Sequence, residues 1–508
     1  MLLLNNMIRG ASALASAAML AGCMVGPNYV GPPTVATGAE GGAPFSRIGN
    51  LPTQPLAADA AWWQAFGDPM LDRLIDQALK TSPSIAIAEA RLRRSRAMVR
   101  QNEANLLPSA GVSASYLRYR LPLSGIGDIG QAIGNNGGTP GQAASLPDDA
   151  SGGLWSAGFD ATWEIDLFGG RRRQRDASRA QAEAAEAQLA DAQVSLAAEV
   201  SQAYIDLRDH QQSLILSQRS SVLEQRSLAL TEQQFRQGAA SREDVERLRT
   251  QYTQTKSQET RISAQVEQSL NRLAVLIGRE PGFVDADLAK PAPVPIVPAR
   301  VPVDDPAAML RRRPDIRAAE RQIAAKSAQI GVSTAQLFPT VSLLGLIGLG
   351  GPSLGDLSFD NYTAVGSPML RWNFLNFGRV RAQIRQAEAG RDEALAQYQQ
   401  SVLQALQDAE DSLAQFRGQR GALQSRIEGA RAATIAAEMV RQRQTRGAAS
   451  LIDLLDSERQ RVSAEQQLEQ AYAQLANGYV AIAKSMGLGW RLPEAAGTPS
   501  AASAGGAR

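Results

Sequence analysis

Cysteine, histidine and aromatic residues are nearly missing from this 508-residue chain, which has one Cys, one His and 5% Phe, Trp and Tyr. A single cysteine excludes intrachain disulfides and any cysteine-only metal cluster. His210 has no second His or Cys near it in sequence, so a packed or solvated side chain suits it better than a catalyst or a metal ligand. Charge imbalance is missing too. With 52 basic and 50 acidic side chains there is no bulk attraction for nucleic acid. No Gly-rich phosphate loop, nucleophile elbow or clustered His/carboxylate site appears, so the chain reads as no enzyme, without cofactor. Ala, Gln, Arg and Ser dominate long stretches, the composition of extended helices with little bulky core.

What is present is a duplication. Gly-Ala-Ala-Ser occurs at Gly238–Ser241 and again at Gly447–Ser450, 209 positions on. Trp163, Phe168-Gly169 and Gly278 return at that offset as Trp372, Phe377-Gly378 and Gly487. Pro83 and Pro108 return as Pro314 and Pro339 with an offset of 231, so the first copy carries a loop 22 residues longer. A period this long marks one large unit duplicated in tandem, not a solenoid of short repeats.

The N-terminus reads as a targeting segment. Arg9 precedes the small-apolar run Ala11–Ala21, and Leu20-Ala21-Gly22-Cys23 resembles a bacterial lipoprotein signal cut before the Cys. Acylation of Cys23 would tether the chain to a bilayer. Residue 24 is Met rather than the Asp of inner-membrane retention, which favours the outer membrane; Met1 and Met7 both remain possible starts. The remaining boundaries are 1–22 signal peptide, 23–81 tether and equatorial segment, 82–278 first repeat, 279–312 equatorial linker, 313–487 second repeat and 488–508 C-terminal tail.

Each half reads as helix, strand, strand, very long helix, tip, helix. The first helices run from Pro83 to Leu107 and from Pro314 to Phe338, each opened by proline and stopped before the next one. From Trp155 to Leu167 apolar and polar residues alternate strictly: Trp155, Ala157, Phe159, Ala161, Trp163, Ile165 and Leu167 against Ser156, Gly158, Asp160, Thr162, Glu164 and Asp166. Such alternation suits a transmembrane β-barrel strand or a soluble sandwich strand. Gly111–Leu121 is its expected partner, and Thr340–Leu349 with Tyr362–Phe377 is the second pair. Ile330–Gly355 contains no charge, yet Pro339, Gly345, Gly348, Gly350 and Gly351 argue against a membrane helix. Four strands cannot close a barrel and open edges are not tolerated in lipid, so the barrel must be shared between chains. Three copies would supply twelve strands; closure alone does not choose three over two or four.

Arg171–Gln237 and Arg379–Arg446 contain no proline, and each would make a helix of about 100 Å. Val200, Leu207, Leu214, Leu228 and Phe235 follow a seven-residue series broken by Ser221, a coiled-coil seam with wet flanks that suits a hollow helical cylinder. Gly238 and Gly447 suit a tight helix–helix turn, and Ser241 and Ser450 are placed to cap the next helix with Asp244 and Asp453 in its first turn. The repeat aligns Asp244 with Asp453 but Arg247 with Asp456, so the two tips are electrically unequal.

Together these features resemble the TolC-type outer-membrane factors, in particular the NodT-like lipoprotein branch that partners resistance-nodulation-division (RND) pumps. The residues that carry the resemblance are Leu20–Cys23, Gly26-Pro27-Asn28-Tyr29, Trp62-Trp63-Gln64-Ala65-Phe66-Gly67-Asp68-Pro69, Arg311-Arg312-Arg313-Pro314-Asp315-Ile316, Phe168-Gly169 and the two tips. The resemblance implies a mixed α and β membrane protein: a homotrimer whose twelve-stranded outer-membrane barrel continues as a periplasmic α-helical barrel. It implies passive efflux with a periplasmic adaptor and an inner-membrane RND transporter as partners, and an equatorial belt from 60–81, 279–312 and the C-terminal stretch. It assigns adaptor docking to Gly238, Ala239, Ala240, Ser241, Gly447, Ala448, Ala449 and Ser450. Asp453 and Asp456 match its acidic gate positions, although the same pair also suits a solvated helix face. Some relatives carry a basic residue two positions beyond the tip glycine, where this chain has Ala449, so a closing ion pair would need another group such as Arg443 or Arg446. A type I protein secretion duct and a non-conducting coiled-coil scaffold are the alternatives.

Overall fold

The computed structural model describes residues 24–57, 60–122 and 149–490. The signal segment with Cys23, most of the Gly-rich connection after the first strand, and the tail beyond 490 lie outside the described residues.

The duplication is visible element by element. Helices α1 (Pro69–Thr81) and α2 (Pro83–Ala104) lead into strands β1 (Ser109–Pro122) and β2 (Asp149–Ile165), then α3 (Gly170–Arg236) and α4 (Arg242–Leu276). The second half repeats the plan with α5 (Pro306–Arg312), α6 (Pro314–Ala335), β3 (Thr340–Gly351), β4 (Tyr362–Arg371), α7 (Arg379–Thr445) and α8 (Leu451–Ser485). Equivalent helices match in length: 22 residues for α2 and α6, 67 for α3 and α7, 35 for α4 and α8. Among the described residues no helix is long and apolar enough to cross a membrane. The uncharged stretch after Ile330 is the end of α6 followed by β3, as its glycines and Pro339 require.

Three expectations are corrected. Helices α2 and α6 end three residues early, at Ala104 and Ala335, because the last turn before each proline opens and frees a carbonyl. Strand β4 stops at Arg371 rather than Phe377. Arg371 pairs with Thr340, the first residue of β3, and Pro339 before it has no N–H to extend the ladder. The seam of α3 holds at Val200 and Leu207, both 0% exposed, but fails at Phe235, which is 45% exposed. Beyond Gln211 the buried line runs instead through Ser217, Ser221, Glu224, Ser227 and Thr231.

The chain folds as two compact units. One takes the residues up to Val30 with 96–180 and 324–392; the other takes 31–95, 181–323 and the rest from 393. In the first unit the four strands form one antiparallel sheet in chain order. Its long helix α3 starts at a turn where Gly169 adopts φ 76. Arg173, 4% exposed, donates to the carbonyls of Val25 and Gly26 at 3.0 and 2.9 Å and to Asn28 Oδ1 at 2.8 Å. Thus Gly-Pro-Asn-Tyr begins a segment clamped by a buried guanidinium. Gly26 also lies so close to Gly331 that an added Cβ would stand 2.5 Å from its Cα.

In the second unit the sequence motifs turn out to be structural. Trp62 and Trp63 are buried, and Phe66 packs edge-on against Tyr479 at 5.1 Å. Asp68 caps α1 through the amides of Met70 and Leu71, and its other oxygen accepts from the Tyr204 hydroxyl at 2.7 Å. Burial pushes that phenol up to about 12. In the arginine motif, Arg312 donates to the carbonyls of Met486 and Leu56, while Arg313 holds Asp315 at 2.8 Å and the Ser485 carbonyl at 3.0 Å. These arginines bind the end of α8 to the segments around it.

Candidate functional site: the sheet face and the hairpin tips

The pleat of the sheet sorts its side chains by face. Cross-strand rows on one face read Ala110–Ala161–Gly345–Gly366 and Val112–Phe159–Ile347–Ala364, followed by Ala114–Ala157–Leu349–Tyr362. Towards the helices the same face continues as Trp163–Leu343–Pro368 and Ile165–Val341–Leu370. The opposite face holds Ser109–Thr162, Gly111–Asp160, Ser113–Gly158 and Ser115–Ser156, with hydroxyl contacts of 2.9 Å (Ser109–Thr162) and 2.8 Å (Ser115–Ser156). The apolar face is unbroken across four strands yet open: Phe159 is 67% and Ile347 60% exposed. β1 and β4 each have one unpaired edge. On β3 and β4 the opposite face turns more apolar, with Leu344, Leu346, Val365 and Met369, so the polar character is concentrated on β1 and β2.

Two tryptophans repeat one contact. Trp163 Nε1 donates to the Leu106 carbonyl at 3.0 Å, and its equivalent Trp372 donates to the Leu337 carbonyl at 3.1 Å. These are the carbonyls left free where α2 and α6 open before their prolines. Trp163 ties a helix end to β2, and Trp372, the residue just past β4, holds the matching end.

The hairpin tips are near copies. Gly238 and Gly447 both take φ 73, a left-handed value that ends the long helix. The amides of Ala239 and Ala448 each donate 2.8 Å back to Gln234 and Arg443, closing Schellman turns. Ser241 and Ser450 then form capping boxes with Asp244 and Asp453. Asp453 accepts from the Ser450 amide at 2.9 Å and from its hydroxyl at 2.8 Å. Those bonds hold its carboxyl below the usual range, as the Ser241 hydroxyl does for Asp244. Beyond the cap the tips diverge. Arg247 sits 3.4 Å from Asp244, whereas Asp456 faces Arg459 at 3.7 Å. Arg443 adds a weak positive field at Asp453 and donates to the Ala448 carbonyl at 3.2 Å.

One feature of the hairpins escapes simple motif reading. In the first, Arg249 on α4 reaches back to Glu232 on α3 at 3.0 Å. In the second, Glu458 on α8 binds Arg441 on α7. The offset of 209 maps Glu232 onto Arg441 and Arg249 onto Glu458, so the same clasp occurs twice with its charges exchanged. Comparing the repeat with itself, position by position, is the signal that would find it. His210 meets Ser269 Oγ at 3.0 Å, and burial lowers its pKa. Among the described residues no three His, Cys, Asp or Glu side chains are arranged to hold a metal ion.

One four-stranded antiparallel sheet with an apolar face and open edges, and two 67-residue helices in a tandem repeat, are the features to be matched with known membrane conduits. The chain belongs to the outer membrane efflux protein family, whose model matches residues 74–279 and 306–488. It is 29% identical to nodulation protein T of Rhizobium leguminosarum bv. trifolii over 482 residues, 93% of this chain and 96% of that one. It is 28% identical to the solvent efflux pump outer membrane protein SrpC of Pseudomonas putida, covering 94% and 97%. Among solved structures the outer-membrane channel OprN superposes with a TM-score of 0.79 at 33% identity, covering 92% of this chain and all of that one. The open state of the Neisseria gonorrhoeae MtrE outer membrane channel gives 0.71 at 26% identity, covering 92% and 98%. The protein is an outer-membrane efflux component, a transport conduit and not an enzyme.

Proposed function

We propose that three copies of this chain close a twelve-stranded outer-membrane barrel, and that their hairpins continue it as a periplasmic tunnel. The unbroken apolar face ending in two unpaired edges carries this reading, because lipid tolerates neither open edge. The duct moves substrates delivered by an RND transporter through a periplasmic adaptor that docks on Gly238–Ser241 and Gly447–Ser450. A lipid on Cys23 tethers the mature N-terminus, and the Arg173 clamp on residues 25–28 fixes the chain just beyond it.

Asp453 and Asp456 form the gate in this reading, as rings of three carboxylates at the mouth. Asp453 also completes the capping box of α8 by accepting from the Ser450 amide, so truncation to Ala would remove a charge and that hydrogen bond together. Asparagine keeps a cap acceptor without the charge. The expected outcome is that Asp453→Asn with Asp456→Asn raises single-channel conductance in a planar bilayer several-fold and weakens its cation preference. Unchanged conductance and selectivity would remove both carboxylates from the gate.

A further inference from the structure

We propose that copies of this chain join in one fixed register, in which Leu370 of one copy lies opposite Ala114 of the next and Phe377 packs on Leu107 of that next copy. The inference rests on the shared-barrel reading and goes beyond it, because the internal repeat specifies which residues meet.

The repeat maps positions before the long loop forward by 231 and positions after it by 209. This mapping can be checked inside the sheet. The β1–β2 ladder sets Ser109 opposite Thr162. Carried forward, that pair becomes Thr340 opposite Arg371, which is the β3–β4 register. The two halves therefore obey the repeat residue for residue.

The junction between the halves can be carried forward in the same way. In it β2 meets β3 with Ala161 opposite Gly345, Trp163 opposite Leu343 and Ile165 opposite Val341. One repeat further on, β4 plays the part of β2, and β1 of the next copy plays the part of β3. Ala161 and Gly345 become Leu370 and Ala114. Trp163 and Leu343 become Trp372 and Val112, and Ile165 and Val341 become Phe374 and Ala110. β4 now ends at Arg371, three residues short of the position that matches Ile165. The missing residues, 372–374, are those the new edge would pair, and Trp372 and Phe374 stand 52% and 73% exposed. The apolar rows then run on across the join.

The turn below the strands gives an independent contact. Phe168 stacks on Phe338 with ring centroids 4.5 Å apart and planes 15° apart. Carried forward, Phe377 meets Leu107 of the next copy. Both are bare in the single chain, at 91% and 67% exposed, and Phe377 holds φ 48, a left-handed value unusual for a bulky residue. The two junctions differ in one respect. Residues 24–28 fill the internal one, where Val25 N donates to the Phe168 carbonyl and Arg173 and Gly331 make the seat. Between copies Ala382 replaces Arg173 and Arg100 replaces Gly331, so the N-terminal segment has one seat per copy rather than two.

The test is cysteine cross-linking of the full-length protein in isolated outer membranes, oxidised and run without reductant. Ala161→Cys with Gly345→Cys serves as the within-chain standard, since a Cβ on Gly345 would lie 4.0 Å from that of Ala161, inside disulfide range. Leu370→Cys with Ala114→Cys should link chains into a closed ladder with a yield within about twofold of that standard. Pairing Leu370→Cys with Ala110→Cys or Arg118→Cys, four residues off, should give about tenfold less. A maximum at either shifted pair overturns the register and leaves the shared barrel standing. No link between chains in any of the three pairs, where the standard does form, overturns both.

Discussion

The two hairpins share length, turn and cap, yet their interiors differ. Along α3 the first hairpin buries Ser217, Ser221, Glu224, Ser227 and Thr231. Glu224 Oε2, Ser227 Oγ and Thr231 Oγ1 have no hydrogen-bond partner, although Gln251 reaches the other Glu224 oxygen at 3.3 Å. At the matching positions of α7 the second hairpin has Arg426, Ala430, Ala433, Ala436 and Val440, of which only Ala430 is buried. It is closed instead by Glu458, whose side chain is 10% exposed between Arg441 and Arg461. The reversed clasp in the first hairpin, Glu232 with Arg249, is 36% and 49% exposed and contributes little. The hairpins share a frame but not their buried polar groups: the first buries one unpartnered Glu224 oxygen and two unpartnered hydroxyls, while the second shields Glu458 between Arg441 and Arg461, whose Nε is itself unpartnered.

The comparison breaks most sharply at Glu458. Glu458→Arg would set three arginines together, and tip cleavage of the second hairpin in limited proteolysis should rise about tenfold. The mirror change Arg249→Glu, at an exposed pair, should alter cleavage of the first hairpin by less than about twofold. Equal responses would refute the contrast.

A second effect lies where α3 faces α8. Burial, then Asp206 and Glu469, push Asp209 up to about 6 from 3.8. The charged and polar groups around it are Asp206, held by Asn477 at 2.9 Å, Glu469, raised by burial and Glu465, and the neighbouring His210. Because the folded pKa is raised, ionisation opposes folding. The penalty is absent below about pH 3.8, grows up to about 6 and is complete above it. Asp209→Asn should therefore match the parent at pH 4 and exceed it by on the order of 2 kcal/mol at pH 7.5, read from denaturant midpoints. A gap that does not widen with pH would count against this account.

The smallest change is expected from filling the first hairpin in the manner of the second. Ser227→Ala with Thr231→Val removes two unpartnered hydroxyls and should stabilise the protein by about 1–2 kcal/mol, seen as slower amide exchange along α3. Faster exchange would mean that those hydroxyls have partners in the assembled protein.

What could be read from the sequence follows the range of the forces involved. Pro83, Pro314, Gly238, Gly447, Ser241 and Ser450 act on their own turn of chain, and the helices start and stop at or within a few residues of them. The strand alternation from Trp155 to Ile165 survives because one pleated face stays apolar on its own. Failures came where a partner decides. Trp372 and Phe374 alternate correctly but have no strand beside them in one chain. Past Gln211 the heptad named Leu214, Leu228 and Phe235, which are half-buried or exposed, while packing buried Ser217, Ser221 and Ser227. Glu232 and Arg249 lie 17 residues apart across a turn, beyond any local pattern, and only the copy of the repeat exposes their pairing. For the candidate site, the tip turns and caps were written in local chemistry. Asp453 is tied into one of those caps, which sequence spacing also indicated.

The close approach of Gly26 and Gly331 has a temporal meaning. Gly331 belongs to α6, more than 300 residues downstream, so the seat for residues 24–28 does not exist until most of the chain has been made and folded. The seat of residues 25–28 thus couples the start of the described chain to both halves of the repeat, through Arg173 of the first and Gly331 of the second.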